Sequence, residues 1–442
     1  VEAPKGSGPG GAELDRRLGV PDAVLVGLGA MLGAGIFAAL GPAARAAGSG
    51  LLLGLALAAA VAYCNATSSA RLAARYPTSG GTYVHGRERL GDFWGYLAGW
   101  SFVVGKTASC AAMALTVGSY AWPERAHAVA VAAVVALTAV NCFGVRKAAR
   151  LTRVIVAVVL AVLAAVVAVC LLSGDARPAR LGGWTEGASF GGVLQAAGLL
   201  FFAFAGYARV ATLGEEVRDP ARTVRRAVPL ALGIVLAVYA AVATAVLAVL
   251  GSARLGGSGA PLVDAVRAAG APGMVPVVTA GAAVAALGSL LALILGVSRT
   301  TLAMARDRHL PHGLSAVHPR YRVPQRAELA VGAVVAVVAA TADLRGVIGF
   351  SSFGVLVYYA VANAAARTLT AAEGRPPRVV PVLGLAGCAL LALALPTGSV
   401  LAGAAVLVAG AAWYPVRRAV AARRVCRAGD DGPRPPEGGA RP

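Results

Sequence analysis

Long apolar runs alternate along this chain with short stretches of mixed polarity, and no polar stretch is long enough to make a separate soluble domain. A membrane-crossing helix needs roughly 20 mostly apolar residues. About twelve runs approach or exceed that length, with limits near 21–44, 49–69, 94–122, 127–145, 152–173, 191–213, 227–251, 274–304, 327–342, 345–369, 379–395 and 398–416. The pattern predicts an all-α integral membrane protein of about twelve transmembrane helices. A succession of such runs is not the mark of a secreted protein with a signal peptide. The two ends, "VEAPKGSGPGGAELDRR" and "RAGDDGPRPPEGGARP", are rich in Gly, Pro and charge, and are expected to be disordered.

Inside a bilayer the backbone must satisfy its own hydrogen bonds, so a helix interruption persists only where protein or a water-filled cavity shelters it. Two runs carry such interruptions. The first, "GLGAMLGAGIFAALGPAA" (27–44), holds five glycines and a proline; the sixth, "GLLFFAFAGYARVATLGEE" (198–216), sets Gly206 among aromatic residues. Runs one and six correspond if the first ten form two inverted five-span repeats, an arrangement that places substrate at the midplane between half-helices. A break at Gly33, Ala34 and Gly35 would start an outer half-helix near Ile36, whose free N–H groups and positive dipole end attract a carboxylate. A break at Ala203 to Gly206, in a span running the other way, would leave carbonyls suited to an ammonium group. Together they complement the backbone of an α-amino acid. Gly27, Gly29 and Gly41 read as close-packing positions.

Composition supports a membrane solvent: 58% of residues are hydrophobic and 14% charged, with a mean hydropathy of +0.73. The formal charge of +20 could mark a nucleic-acid binder, but its distribution argues for topology instead. With a cytoplasmic N-terminus, roughly 31 of the 40 basic residues fall inside and about 7 outside, as the positive-inside rule requires. Both termini are then cytoplasmic, and attraction to anionic headgroups is secondary. The partners expected are an amino acid, protons and the lipid bilayer, with no nucleic acid. Five of the six cysteines lie in apolar runs, and Cys426 lies in the basic tail. Neither a disulfide framework nor a metal site is indicated, and no cofactor is expected. His85, His309, His312 and His318 lack metal-ligand spacing.

Four stretches in order resemble the amino acid-polyamine-organocation superfamily of transporters, specifically its amino acid permeases. They are "GAMLGAGIF" (29–37), "YPTSGGTYVHGRERLGDFWGYLAGW" (76–100), "FFAFAGYARVATLGEEVRDPARTVRRAVPLAL" (201–232) and "GVSRTTLAMARDRHLP" (296–311). The resemblance implies a leucine-transporter-type 5+5 inverted repeat with two additional C-terminal helices. The chain then divides into a cytoplasmic tail (1–19), the first repeat (20–173), the second repeat (174–370), two further helices (371–416) and a basic tail (417–442). It also implies that the backbone of Gly33, Ala34 and Gly35 holds a substrate carboxylate, and that carbonyls near Phe202, Ala203 and Phe204 hold the amino group, with Phe204 a gate over it. The usual motif often has serine where this chain has Ala34, so a hydroxyl contact is lost while backbone recognition survives.

Polar residues at membrane depth mark candidate coupling sites. Lys106 lies 12 residues beyond Trp94, roughly 18 Å into the third span. Three roles are open to it: a proton-responsive cation, an attractor of an acidic side chain, or a crosslink between helices. In related proton-coupled permeases a fifth-span lysine stands in for sodium, but the fifth span here has none. Arg209 remains charged at any ordinary pH and fits a fixed gating pair; Glu215 and Glu216, six and seven residues on, share its helical face poorly. Ser289 on the eighth span is a candidate neighbour of the first break. Asn65, Thr107, Ser109, Asn141 and Asn363 suit interhelical hydrogen bonds. Charged clusters at 215–226 and 299–326 suit either an inner gate or a solvated face.

These features predict a secondary active amino acid transporter of the cell membrane that works by alternating access, coupled to protons or exchanging substrates. Two alternatives stand beside it: a polyamine or organic-cation carrier, which Lys106 would repel, and a sensor that binds an amino acid without moving it. An enzyme needs converging nucleophiles, acids or metal ligands, and the spans offer none.

Overall fold

The computed structural model describes residues 19–76, 80–143, 149–182, 189–207, 217 and 219–430. The fold is all-helical. The first apolar run forms three pieces: α1 (Val20–Met31), α2 (Ala34–Ala38) and α3 (Leu40–Ala47). Gly48, at φ +58, turns the chain into α4 (Leu51–Arg75), a conformation that glycine adopts without steric penalty. A short helix, α5 (Thr82–Leu90), precedes α6 (Asp92–Ala121), α7 (Ala126–Cys142) and α8 (Ala149–Leu172).

The second half begins with α9 (Phe190–Phe204), which tightens into a 3₁₀ turn at Ala205–Tyr207. It continues through α10 (Pro220–Gly257), α11 (Pro261–Ala268), α12 (Val275–Arg306), α13 (Gln325–Thr341) and α14 (Leu344–Arg367). The chain closes with α15 (Val379–Ala394) and α16 (Thr397–Asp430). Among the described residues, 10 helices are long and apolar enough to cross a membrane. The runs expected at 327–342 and 379–395 form the shorter α13 and α15, of 17 and 16 residues, each about 25 Å long. The helix expected to end near 416 continues to Asp430, because the alanines and arginines of "AVAARRVCRA" are strong helix formers.

Most of α6 is buried, between α12 and α14. Gly105 lets α6 approach α14 closely: a Cβ there would lie 3.1 Å from the amide nitrogen of Val355. Side-chain hydrogen bonds lock this crossing and the neighbouring one of α4 with α14. Ser109 and Ser351 lie 2.6 Å apart, Asn363 of α14 donates to Asn65 of α4 at 2.6 Å, and Ser68 donates to Asn363 at 2.7 Å. Asn141 donates across to the carbonyl of Leu291, whereas Thr107 donates back to its own helix at the Val103 carbonyl. The bundle therefore brings α2 against α6 and α9, and α1 against α8 and α10. Both interrupted spans are sheltered within it.

Candidate functional site

The first break lies at Leu32 and Gly33. Leu32 leaves helical geometry at ψ 43 and Gly33 sits at φ −95, ψ −146, after which α2 restarts at Ala34. First-turn N–H groups of a helix have no acceptor within it, so those of Ala34, Gly35 and Ile36 are presented at the break. On the other side α9 ends at Phe204, where the Ala205 N–H donates to the carbonyls of Phe201 and Phe202. The two segments run past each other at backbone distance. A Cβ on Gly35 would lie 2.7 Å from the Ala203 Cβ, one on Gly33 would lie 2.9 Å from the Ser289 Cβ, and one on Gly206 would lie 2.5 Å from the Ala30 carbonyl carbon. Carbon atoms normally approach to 3.5–4.0 Å. Glycine at 33, 35 and 206 is thus a packing requirement as well as the cause of the breaks.

Two side chains from other helices engage the broken ends. The hydroxyl of Tyr239, on α10, is 2.5 Å from the Met31 carbonyl and 3.2 Å from the Ala203 carbonyl, so it bridges the end of α1 to the last turn of α9. One hydroxyl carries one proton, so it donates to one carbonyl at a time. Lys106, on α6, donates from Nζ to the Ala205 carbonyl at 3.1 Å. Its ammonium therefore sits at the sixth-span break, near the carbonyls expected to receive an amino group. Phe202 accepts from the Ala205 N–H and Ala203 shares the Tyr239 hydroxyl with Met31, and a carbonyl has a second lone pair for another bond.

The remaining residues singled out from sequence divide clearly. Ser289 is buried beside Gly33. Phe204 is fully buried with its ring 5.3 Å from that of Tyr239, whereas Phe202 retains slight exposure. Ala34 and Ile36 are buried. Arg209, Glu215 and Glu216 lie outside the described residues. Beyond α2, the ring of Tyr120 meets Phe37 edge-on at 5.8 Å, donates to the Phe37 carbonyl at 2.9 Å and accepts from the Leu262 N–H at 3.4 Å. This aromatic cap joins α2, α6 and α11 on the side away from most of the arginines.

At the opposite, basic end, α5 is held from both sides. Asp307 accepts from Arg87 at 2.9 Å and from the Tyr83 hydroxyl at 2.5 Å. Glu373 accepts from Arg89 at 2.7 Å, from Arg75 at 3.3 Å and from the Thr370 N–H at 2.9 Å. The Arg89 guanidinium, with the Thr370 amide, brings the Glu373 carboxyl down to about 2, because both interactions favour the charged form. Burial brings the His85 imidazole down to about 4. A cavity of about 430 Å³ opens beside α5, lined by Tyr76, Tyr83, Arg87, Arg306 and Asp307. The charged cluster expected at 299–326 contributes Asp307 to this clamp.

Sequence reasoning missed Tyr239, Tyr120 and the clamp on α5. A lone tyrosine in the apolar run "IVLAVYAAVATAVLAVL" is a visible signal for the first, since a buried phenol needs a partner.

The amino acid permease family matches residues 22–374 of this chain. A transporter of Mycobacterium tuberculosis, itself uncharacterised, is 72% identical over 411 residues, covering 93% of each chain. A branched-chain amino acid permease of Bacillus subtilis is 26% identical over 87% of this chain and 89% of its own length. A chloroplastic cationic amino acid transporter of Arabidopsis thaliana is 27% identical over 80% of this chain and 65% of its own length. With the match spanning the broken first and sixth helices and the bundle around them, this chain belongs to the amino acid permease family of the amino acid-polyamine-organocation superfamily, a family of multi-pass membrane transporters rather than enzymes.

Proposed function

We propose that this permease moves an amino acid across the cell membrane by alternating access, holding it between the interrupted first and sixth spans. One observation carries the reading: the half-helix N-terminus at Ala34 faces the carbonyl end of α9 across a backbone contact at Gly35 and Ala203. N–H groups on one side and carbonyls on the other complement a carboxylate and an ammonium. In this reading the N–H groups at Gly33, Ala34, Gly35 and Ile36 bind the carboxylate, and the carbonyls of Phe202, Ala203 and Phe204 bind the amino group. Gly206 keeps the two breaks in register.

The same reading takes the chain as twelve spans, the first ten in two inverted repeats, with the basic end and both termini in the cytoplasm. The aromatic cap of Phe37 and Tyr120 is then the closed outer gate, and the clamp on α5 borders the inner one; Arg209 and Glu216 remain gating candidates from the sequence. Lys106 supplies a fixed cation at the sixth-span carbonyls, where a mobile inorganic cation is not needed. Transport is accordingly driven by protons or by exchange, and Ser289 positions the first break.

Uptake of labelled amino acids into liposomes carrying the full chain tests this. Uptake should respond to an imposed pH gradient or to amino acid loaded inside. A strict sodium requirement with no pH dependence overturns the coupling, and binding without flux overturns transport itself.

A further inference from the structure

The side chain at the start of α2 shows what kind of substrate the gap suits. The methyl of Ala34 packs with Val117 of α6 and Ala286 of α12, and Met113 and Leu287 border the same cluster. On α6, Lys106, Met113 and Val117 are spaced by seven and four residues, so they lie along one helical face. The Lys106 end of that face reaches the sixth-span carbonyl of Ala205. The Met113 and Val117 end reaches the first-span break.

The chemistry around this face is one-sided. α2, α9 and α12 contain no acidic residue, and in α6 the sole one is Asp92, at its first position. A cationic side chain entering here would meet the Lys106 ammonium, and the sole carboxylate of these four helices, Asp92, is 14 residues before Lys106 at the far end of α6. An acidic side chain would have to draw Lys106 from the Ala205 carbonyl. Ala34 and Ala286 have no exposed surface, and the half-buried Met113 and Leu287 border them. An aliphatic side chain parting these helices exchanges one hydrocarbon contact for another, whereas a cationic one would be desolvated without a partner and an acidic one would break the Lys106 bond to gain one.

We infer that the side-chain subsite is the hydrocarbon patch of Ala34, Met113, Val117, Ala286 and Leu287, and that the substrates are neutral amino acids with aliphatic side chains. This rests on the reading that an amino acid binds at the two breaks.

The test uses the purified full chain in detergent and in liposomes. Thermal stabilisation is measured with leucine, isoleucine, valine, alanine, lysine, arginine, glutamate and aspartate, and each then competes against uptake of the best ligand. The larger aliphatic amino acids should act at concentrations at least roughly tenfold below the charged ones, the scale of discrimination that a hydrocarbon pocket achieves. A charged amino acid acting at the lowest concentration overturns the subsite while leaving the amino acid site intact. If none of the panel stabilises or competes, the amino acid reading falls and the subsite falls with it. Val117→Thr, which keeps shape and adds a hydroxyl, should weaken leucine roughly tenfold with alanine less affected. Unchanged leucine affinity in a variant that unfolds at the parental temperature would contradict the assignment.

Discussion

Replacing Gly35 by alanine puts the contact between the two breaks under direct test. The new Cβ would lie 2.5 Å from the Ala203 Cα and 2.7 Å from its Cβ, about 1 Å inside the normal carbon–carbon separation. The atoms it meets include backbone, so no side-chain rotation relieves the clash, and α2 and α9 must separate. Forced packing of this kind costs about 1–3 kcal/mol. Alanine recovers up to ~1 kcal/mol of helix propensity, which leaves a net loss of up to about 2 kcal/mol. The larger effect is on binding, because a 1 Å displacement of the N–H groups from the facing carbonyls spoils both ends of the site at once. Gly296→Ala in α12 is the control, since nothing lies within 4 Å of a Cβ there. Thermal unfolding in detergent, with and without amino acid, should show Gly35→Ala melting lower and losing most ligand stabilisation, with Gly296→Ala unchanged or higher. Parental melting and parental uptake for Gly35→Ala would refute the claim that the two breaks meet at backbone distance.

Tyr239→Phe removes the hydroxyl shared by Met31 and Ala203 and should lower stability by about 1 kcal/mol, read as a lower melting temperature with the ring packing against Phe204 preserved. Lys106→Met deletes the ammonium at the Ala205 carbonyl; pH-gradient-driven accumulation should be lost, which uptake at several imposed gradients would detect. Glu373→Gln loosens Arg75 of α4 and Arg89 of α5 from the segment after α14. Because Arg89 holds that carboxyl near 2, its stabilising effect is present above the usual carboxylate range and fades only as pH falls toward 2. Its effect on uptake should therefore be constant from about pH 5 to 8, since the carboxylate remains charged throughout. His85, held near 4 against an ordinary 6.5, acts in the same direction over a higher window: the unfolded chain takes up its proton first, so stability falls as pH drops from 6.5 toward 4. His85→Gln should flatten that part of the melting profile.

The breaks were legible to within two residues because their cause is local: glycines at 33, 35 and 206 stand out in apolar runs, and the helix interruptions fall at Leu32–Gly33, with α2 restarting at Ala34 instead of near Ile36, and just after Phe204. Lys106 was visible for the same reason, as a lone ammonium in an apolar run. Its acceptor was not, because Ala205 is 99 residues away and nothing in the periodicity of either helix names the other. Tyr239 shows the same limit more sharply. Its carbonyl partners lie 208 and 36 residues distant, and they need an outside donor only because both helices stop. A search of the apolar runs for a lone phenol or ammonium, begun from the two breaks rather than from each run separately, would have brought Tyr239 and Lys106 together. The division of the glycines into packing and binding positions also gives way. Gly29 and Gly41 pack against Thr152 and the Ser258 carbonyl, but Gly33 and Gly35 pack at least as closely, against Ser289 and Ala203. In a membrane bundle the residue that frees the backbone N–H groups is also the one that lets the facing helix come near enough to share a ligand with them, so close packing and binding at Gly35 are one property of the missing side chain.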